Sequence, residues 1–159
     1  GPGRVSGTAK LLISTLNKTY PPLIRNNISI VDIDDCTDGH YQALLNGKDN
    51  QRYVLNSFQT TSEELLSKLK SLSEWSGRPI YIPKLGLKII APLGDLYKSV
   101  SSSTPLICSE SAKVLTHGHI YDGSKAGDKL NLSYIDLETF MKKTINWLID
   151  ESYVKLKKI

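Results

Sequence analysis

The chain has 159 residues, 40% of them apolar and 23% charged, and carries a net charge of +4. That length suits one domain able to bury roughly 70% of its unfolded surface, and the balance of residues is ordinary for a globular protein. No apolar run approaches the roughly 20 residues of a membrane helix, nothing resembles a signal peptide, and the basic residues are scattered, which argues against nucleic acid as a partner. Two cysteines, Cys36 and Cys108, make no disulfide framework. They fit a reducing interior, so an intracellular, cytoplasmic location is expected. Met141 is the only methionine, and a preceding segment is therefore expected; Gly1-Pro2 has the look of a tag remnant.

In chain order, Ala9, Leu12, Ile13 and Leu16 fall at helical spacing after Thr8, and Pro21-Pro22 close that passage. Residues 28–33 read as a β-branched strand. Asp34 and Asp35 follow at once, carboxylates placed to cap a helix through Tyr41, Leu44 and Leu45 that stops near Gly47. Residues 52–56, RYVLN, read as a second strand. Thr61 and Glu64 have capping-box spacing, and Leu65, Leu66, Leu69, Leu72 and Trp75 form one apolar stripe ahead of Gly77 and Pro79. Residues 80–97 mix apolar side chains with Pro83, Gly86, Pro92 and Gly94, which suggests strand, turn and a short helix. The serine-rich residues 99–104 suggest a loop or helix end. Asp136 then caps a closing helix carrying Leu137, Phe140, Met141, Thr144 and Leu148.

Strand, helix, strand is a crossover that implies parallel pairing. Parallel sheets are normally covered on both faces and contain several strands, so two short strands look like the end of a sheet whose earlier strands lie elsewhere. The unpaired edge would invite association.

The passage ISIVDIDDCTDGHYQALLNGKDNQRYVLNS resembles one in the extended short-chain dehydrogenase/reductases. There a hydrophobic strand leads to V-x-D-x-D, then a helix with A-H-x-x-A-L, then a G-x-R-Y-I-L strand. Val31, Asp32, Asp34, His40, Ala43, Leu44, Arg52 and Tyr53 hold those places, while Gly39 stands for the usual alanine and Gln51 for a small residue. GPGR at the start resembles the turn after the sixth strand of the family's nucleotide-binding sheet. YDGSKAGDKLNLSYIDLETFMKKTINWL is similar to its closing segment. The dihydroflavonol-reductase-like and hydroxysteroid-dehydrogenase-like branch is the nearest in pattern.

The resemblance implies an α/β fold, the C-terminal part of a Rossmann-like doubly wound parallel sheet plus a small, mainly helical substrate lobe. Residues 1–60 would carry the last strands and helices of the sheet, and residues 61–159 the substrate-binding lobe and closing helix. It implies NAD or NADP in the complete parent and no cofactor for this part alone. The partners are then the N-terminal half of the same protein, or an oligomeric or heterologous partner, and a small-molecule substrate. The parent's reaction would be reduction or oxidation at a carbonyl or hydroxyl carbon, on its own or within an epimerisation. Gly3, Arg4, Ile33 and Asp34 would border the substrate pocket, with no residue named as catalytic, cofactor-binding or metal-ligating. A non-catalytic scaffold that retains the fold is the alternative, and an independent small binding module is a third.

Several motifs have plainer readings. Gly1, Gly3 and Gly7 imitate a phosphate loop, but no strand precedes them. Tyr121 and Lys125 match the family's Tyr-x-x-x-Lys spacing, yet Asp122-Gly123 interrupts the helix that would let the ammonium tune the phenol, and Tyr153 and Lys157 repeat the spacing by chance. Cys36 with His40, and His117 with His119, fall short of a four-ligand zinc set. Asp32, Asp34 and Asp35 read as caps rather than an acid/base pair. Trp75 and Trp147 read as core, and the terminal KLKKI as solvated charge.

Overall fold

In the computed structural model the described residues are 5, 8–17, 23–73, 75–100, 109–118 and 120–156. The first helix, α1 (Thr8–Leu16), buries Ala9, Leu12 and Leu16 as its spacing predicts. Strand β1 (Asn27–Ile30) is shorter than expected, because the chain turns at Val31 and enters α2 (Ile33–Asn46) two to three residues early. The cap is Asp32, whose carboxylate accepts from the Asp34 amide at 3.0 Å, and not Asp34 or Asp35. The stop at Gly47 falls where expected.

The strand that pairs with β1 is β2 (Phe58–Thr61), and the pairing is antiparallel, with Asn27 opposite Thr61 and Ile30 opposite Phe58. This corrects two expectations. Residues 52–56 have no ladder partner, and the sheet among the described residues is one antiparallel pair rather than a parallel, doubly wound one. The register explains it: the Ser57 amide donates to the Ile30 carbonyl at 2.8 Å, so the four residues after Ser57 land beside β1 while RYVLN passes it by.

Thr61 ends the strand and caps α3 (Ser62–Leu72), accepting from the Glu64 amide at 3.1 Å. Leu65, Leu66 and Leu69 are buried, and Trp75 follows them into the core. The helix stops at Leu72, ahead of Gly77 and Pro79, where the Ser73 hydroxyl donates to the Leu69 carbonyl. After a bridge between Leu23 and Tyr81, residues 84 onward form α4 (Lys84–Val100). The expected strand, turn and short helix give way to this long helix running through Pro92. A proline inside a helix costs about 3 kcal/mol. Burial of Leu87 and Ala91 against α5 (Ser109–His117) works against that cost. Residues 101–104 of the serine-rich stretch lie outside the described residues.

The chain closes with α6 (Ser124–Leu130) and α7 (Leu137–Asp150), the latter capped by Asp136 through the Thr139 amide as its sequence predicts. Phe140, Met141, Thr144, Ile145 and Leu148 are buried. The main core lies between α1, α3 and α7, and an edge-to-face contact of Phe58 with Phe140 at 5.5 Å fastens the sheet to it. A smaller cluster of Ile24, Leu87, Ala91 and Ala112 sits between α4 and α5.

Candidate functional site

The start of α2 gathers the charged residues. Asp32 has a fully buried side chain, and one of its oxygens receives the Lys143 ammonium of α7 at 2.5 Å. The same ammonium reaches Asp34 at 2.6 Å, and the Asp34 side chain is largely in solvent. Asp35, also buried, accepts from the Ser57 hydroxyl at 2.5 Å and from the Ile135 amide at 3.1 Å, while Ser57 accepts from the Asp32 amide. Three adjacent carboxylates thus tie the start of α2 to the 57 turn, to the entry of α7 and to its lysine.

Burial pushes the Asp32 carboxyl up, but the Lys143 ammonium and the Asp34 and Ile33 amides outweigh it and hold it below the ordinary carboxylate value. Burial likewise pulls Lys143 down, and its two carboxylates more than restore it, leaving it above the ordinary lysine value. Both groups are charged at neutral pH, which suits a fixed strut rather than a proton donor.

Beside this strut lies a cleft of about 450 Å3 lined by Val31, Cys36, Gly39, His40, Ala43, Tyr53 and Leu55. Gly39 lets Leu55 lie close against α2; a methyl there would stand 2.5 Å from Leu55 Cδ2. The His40 Nδ1 lies 2.7 Å from the Cys36 carbonyl and 3.7 Å from the Cys36 Sγ. A nitrogen that donates to the carbonyl is not available to take the thiol proton. No cluster of His, Cys, Asp and Glu among the described residues could hold a metal ion.

Of the sequence-predicted rim residues, Ile33 and Asp34 stand exposed on the first turn of α2, next to the cleft but not in its walls. Gly3 and Arg4 lie outside the described residues, as do Gly1, Gly7, His119 and Lys157. The structure instead places Val31, Tyr53 and Leu55 in the walls. The composition of RYVLN marked Tyr53 and Leu55 as strand-like, but nothing in the sequence marked them or Val31 as walls of a cleft.

Tyr121 and Lys125 are set to different tasks. Tyr121 precedes the Gly123 cap of α6, and its backbone bonds to Ser29, Asn56 and Gln59. Lys125 donates to the Gln51 side chain at 2.9 Å and the Arg52 carbonyl at 3.0 Å, with its ammonium 5.2 Å from the Tyr53 ring centre. The interrupted helix inferred from Asp122-Gly123 is what the structure shows.

The segment from Tyr53 to Leu55 is the least satisfied part of the site. No backbone hydrogen bond joins Tyr53, Val54 or Leu55 to another described residue. Val31, Ile33 and Val54 are 38%, 46% and 45% exposed around it, and Leu44 on the outer face of α2 is 82% exposed.

No protein-family model matches the chain. A putative dihydroflavonol 4-reductase from a Synechocystis strain is 23% identical over 160 residues, which is 93% of this chain and 44% of that protein. Among solved structures, gox2253 superposes with a TM-score of 0.76 at 17% identity, over 94% of this chain and 46% of the other. A nucleoside-diphosphate-sugar epimerase from Pseudomonas aeruginosa does so with a TM-score of 0.73 at 20% identity, over 94% and 44%. The chain has the fold of part of an extended short-chain dehydrogenase/reductase. The chain spans less than half the length of the relatives it matches. No helix among its described residues is long and apolar enough to cross a membrane.

Proposed function

We propose that this chain is the C-terminal, substrate-side part of an NAD(P)-dependent reductase or dehydrogenase acting at a carbonyl or hydroxyl carbon of a small molecule. The observation that carries the reading is the segment Tyr53–Leu55. It is β-prone and packed by α2 on one side, yet its backbone donors and acceptors have no partner among the described residues. An unpaired strand-like edge invites pairing with another strand, so it fits a neighbour supplied by the preceding half of the same protein. Relatives more than twice as long support the same reading.

The residues here do not fit the dinucleotide itself. Neither lysine nor arginine lines the cleft, and no glycine-rich turn joins a strand to a helix among the described residues. Binding of the cofactor therefore falls to the preceding half, and this chain supplies the wall that faces the substrate. Val31, Tyr53 and Leu55 shape that wall, Ile33 and Asp34 border it, and the Asp32–Lys143 pair keeps the start of α2 in place. Residues 61–159 form the supporting lobe.

Fluorescence titration with NADH and NADPH tests the reading. The complete protein should bind one of them at micromolar concentration, and the 159-residue chain neither. Micromolar binding by the chain alone would overturn the proposal, and failure of the complete protein to bind either would favour a scaffold that retains the fold.

A further inference from the structure

Helices α4 and α5 leave between them a groove of about 320 Å3, which shares no residue with the cleft beside α2. Its space comes from short side chains. Ala91 of α4 and Ala112 of α5 pack with Leu87 to form the floor, and Pro92 stands beside them. Longer side chains at 91 and 112 would fill the gap.

The charges that line this groove have one sign. Lys88 comes from α4, Lys113 and His117 come from α5, and no carboxylate is among the lining residues. Neither ammonium has a carboxylate within ion-pair distance among the described residues. The Thr116 hydroxyl donates to the Ala112 carbonyl at 2.6 Å, so its proton is already placed. Two like charges on the two walls of an apolar groove repel, and an anion between them removes the repulsion.

We infer that this groove binds a small amphiphilic anion, an aliphatic chain that ends in a carboxylate. The chain lies on Leu87, Ala91, Ala112 and Pro92 and along the lysine methylenes, while the carboxylate accepts from Lys88 and Lys113. The volume is at the low end for small-molecule sites and suits a chain of about ten carbons. Asp95 sets the direction. It accepts from the Ser109 amide at 3.1 Å, and it follows Lys88 by two helical turns, about 10 Å. Its charge disfavours a carboxylate at the Ser109 end and leaves the lysine end to the head.

Other occupants suit the groove less well. A neutral amphiphile leaves both ammoniums without a partner, and a cationic one is repelled. A bilayer surface does not reach a floor recessed between two helices. Every lining residue belongs to α4 or α5, so the inference does not depend on the function proposed above.

Isothermal titration of the complete protein with decanoate tests this, with 1-decanol and decyltrimethylammonium as controls. One decanoate should bind per chain with a dissociation constant on the order of 100 micromolar, as for a ligand of about a dozen heavy atoms, and the controls at least tenfold more weakly. Lys88→Glu combined with Lys113→Glu should weaken decanoate at least tenfold, with helix content unchanged because both side chains are exposed. Amide NMR of the unsubstituted protein locates the site: decanoate should shift Leu87, Ala91 and Ala112. No binding at millimolar decanoate, equal binding of decanol, indifference to the paired substitution, or shifts confined to Val31, Tyr53 and Leu55 would overturn the inference. So would sedimentation with phosphatidylserine vesicles that decanoate does not displace and the paired substitution abolishes.

Discussion

Helices α2 and α3 make opposite use of similar sequence patterns. In α3 the leucines at 65, 66 and 69 are 0–3% exposed, wedged against α7. In α2 the residues at 33, 41 and 44 have comparable helical spacing but stand 46–82% exposed. Both helices begin with a side-chain cap and both follow a strand of the same sheet. What differs is the neighbour: α3 has its covering layer within the chain, and α2 shows an apolar face with no comparable layer among the described residues. Apolar patterning marks a face to be covered, and it does not say which chain segment covers it.

Substitutions in pairs sharpen this contrast. Leu69→Ala should destabilise the chain by about 3 kcal/mol, as leucine-to-alanine changes in filled cores do. Leu44→Ala should change the stability of the isolated chain by no more than about 0.5 kcal/mol, as an exposed substitution. Denaturant midpoints measure both, and a cost at Leu44 matching that at Leu69 would break the comparison.

The strut at the start of α2 comes next. Lys143→Met leaves the buried Asp32 carboxylate unpaired, and removing one partner of a buried pair costs about 3 kcal/mol or more; because Lys143 reaches solvent, the low end applies. Its pH dependence has two signs. Asp32 is depressed, so its contribution is present above the unfolded carboxylate value of about 3.9 and fades as pH falls through the lower folded value. Lys143 is raised, so its contribution is present below the unfolded lysine value of about 10.4 and fades as pH rises through the higher folded one. Stability curves of wild type and Lys143→Met should therefore converge at both extremes and differ most between them.

Smaller still is the cap of α3. Thr61→Ala removes the acceptor for the Glu64 amide and should cost about 1 kcal/mol. Thermal unfolding reads that directly.

How much was legible in the sequence follows the range of each signal. The caps at Thr61 and Asp136 act over three residues, and both stand where the sequence puts them. The choice among Asp32, Asp34 and Asp35 is not local. Any of the three can cap a helix, and the choice falls to Ser57, Ile135 and Lys143, between 22 and 111 positions away. Pro92 is a local signal that burial overrides. RYVLN carries the composition of a strand, yet FQTT, weaker in apolar content, takes the place beside β1, because pairing follows where the chain lands after α2. In the cleft, Ile33 and Asp34 stand at the border, whereas Val31, Tyr53 and Leu55 form walls that show only once Gly39 is seen to admit Leu55.

The central claim is that residues 52–56 form the edge of a sheet completed by the preceding half of the protein. Amide hydrogen exchange at Tyr53, Val54 and Leu55 tests it most directly, compared between the 159-residue chain and the complete protein. Protection of α3 and α7 amides serves as the sign that both are folded. The account predicts exchange near unfolded rates at these three amides in the chain alone, and slowing by about a hundredfold or more in the complete protein, as for ordered strands. Slow exchange in the isolated chain, or fast exchange in both, would contradict it.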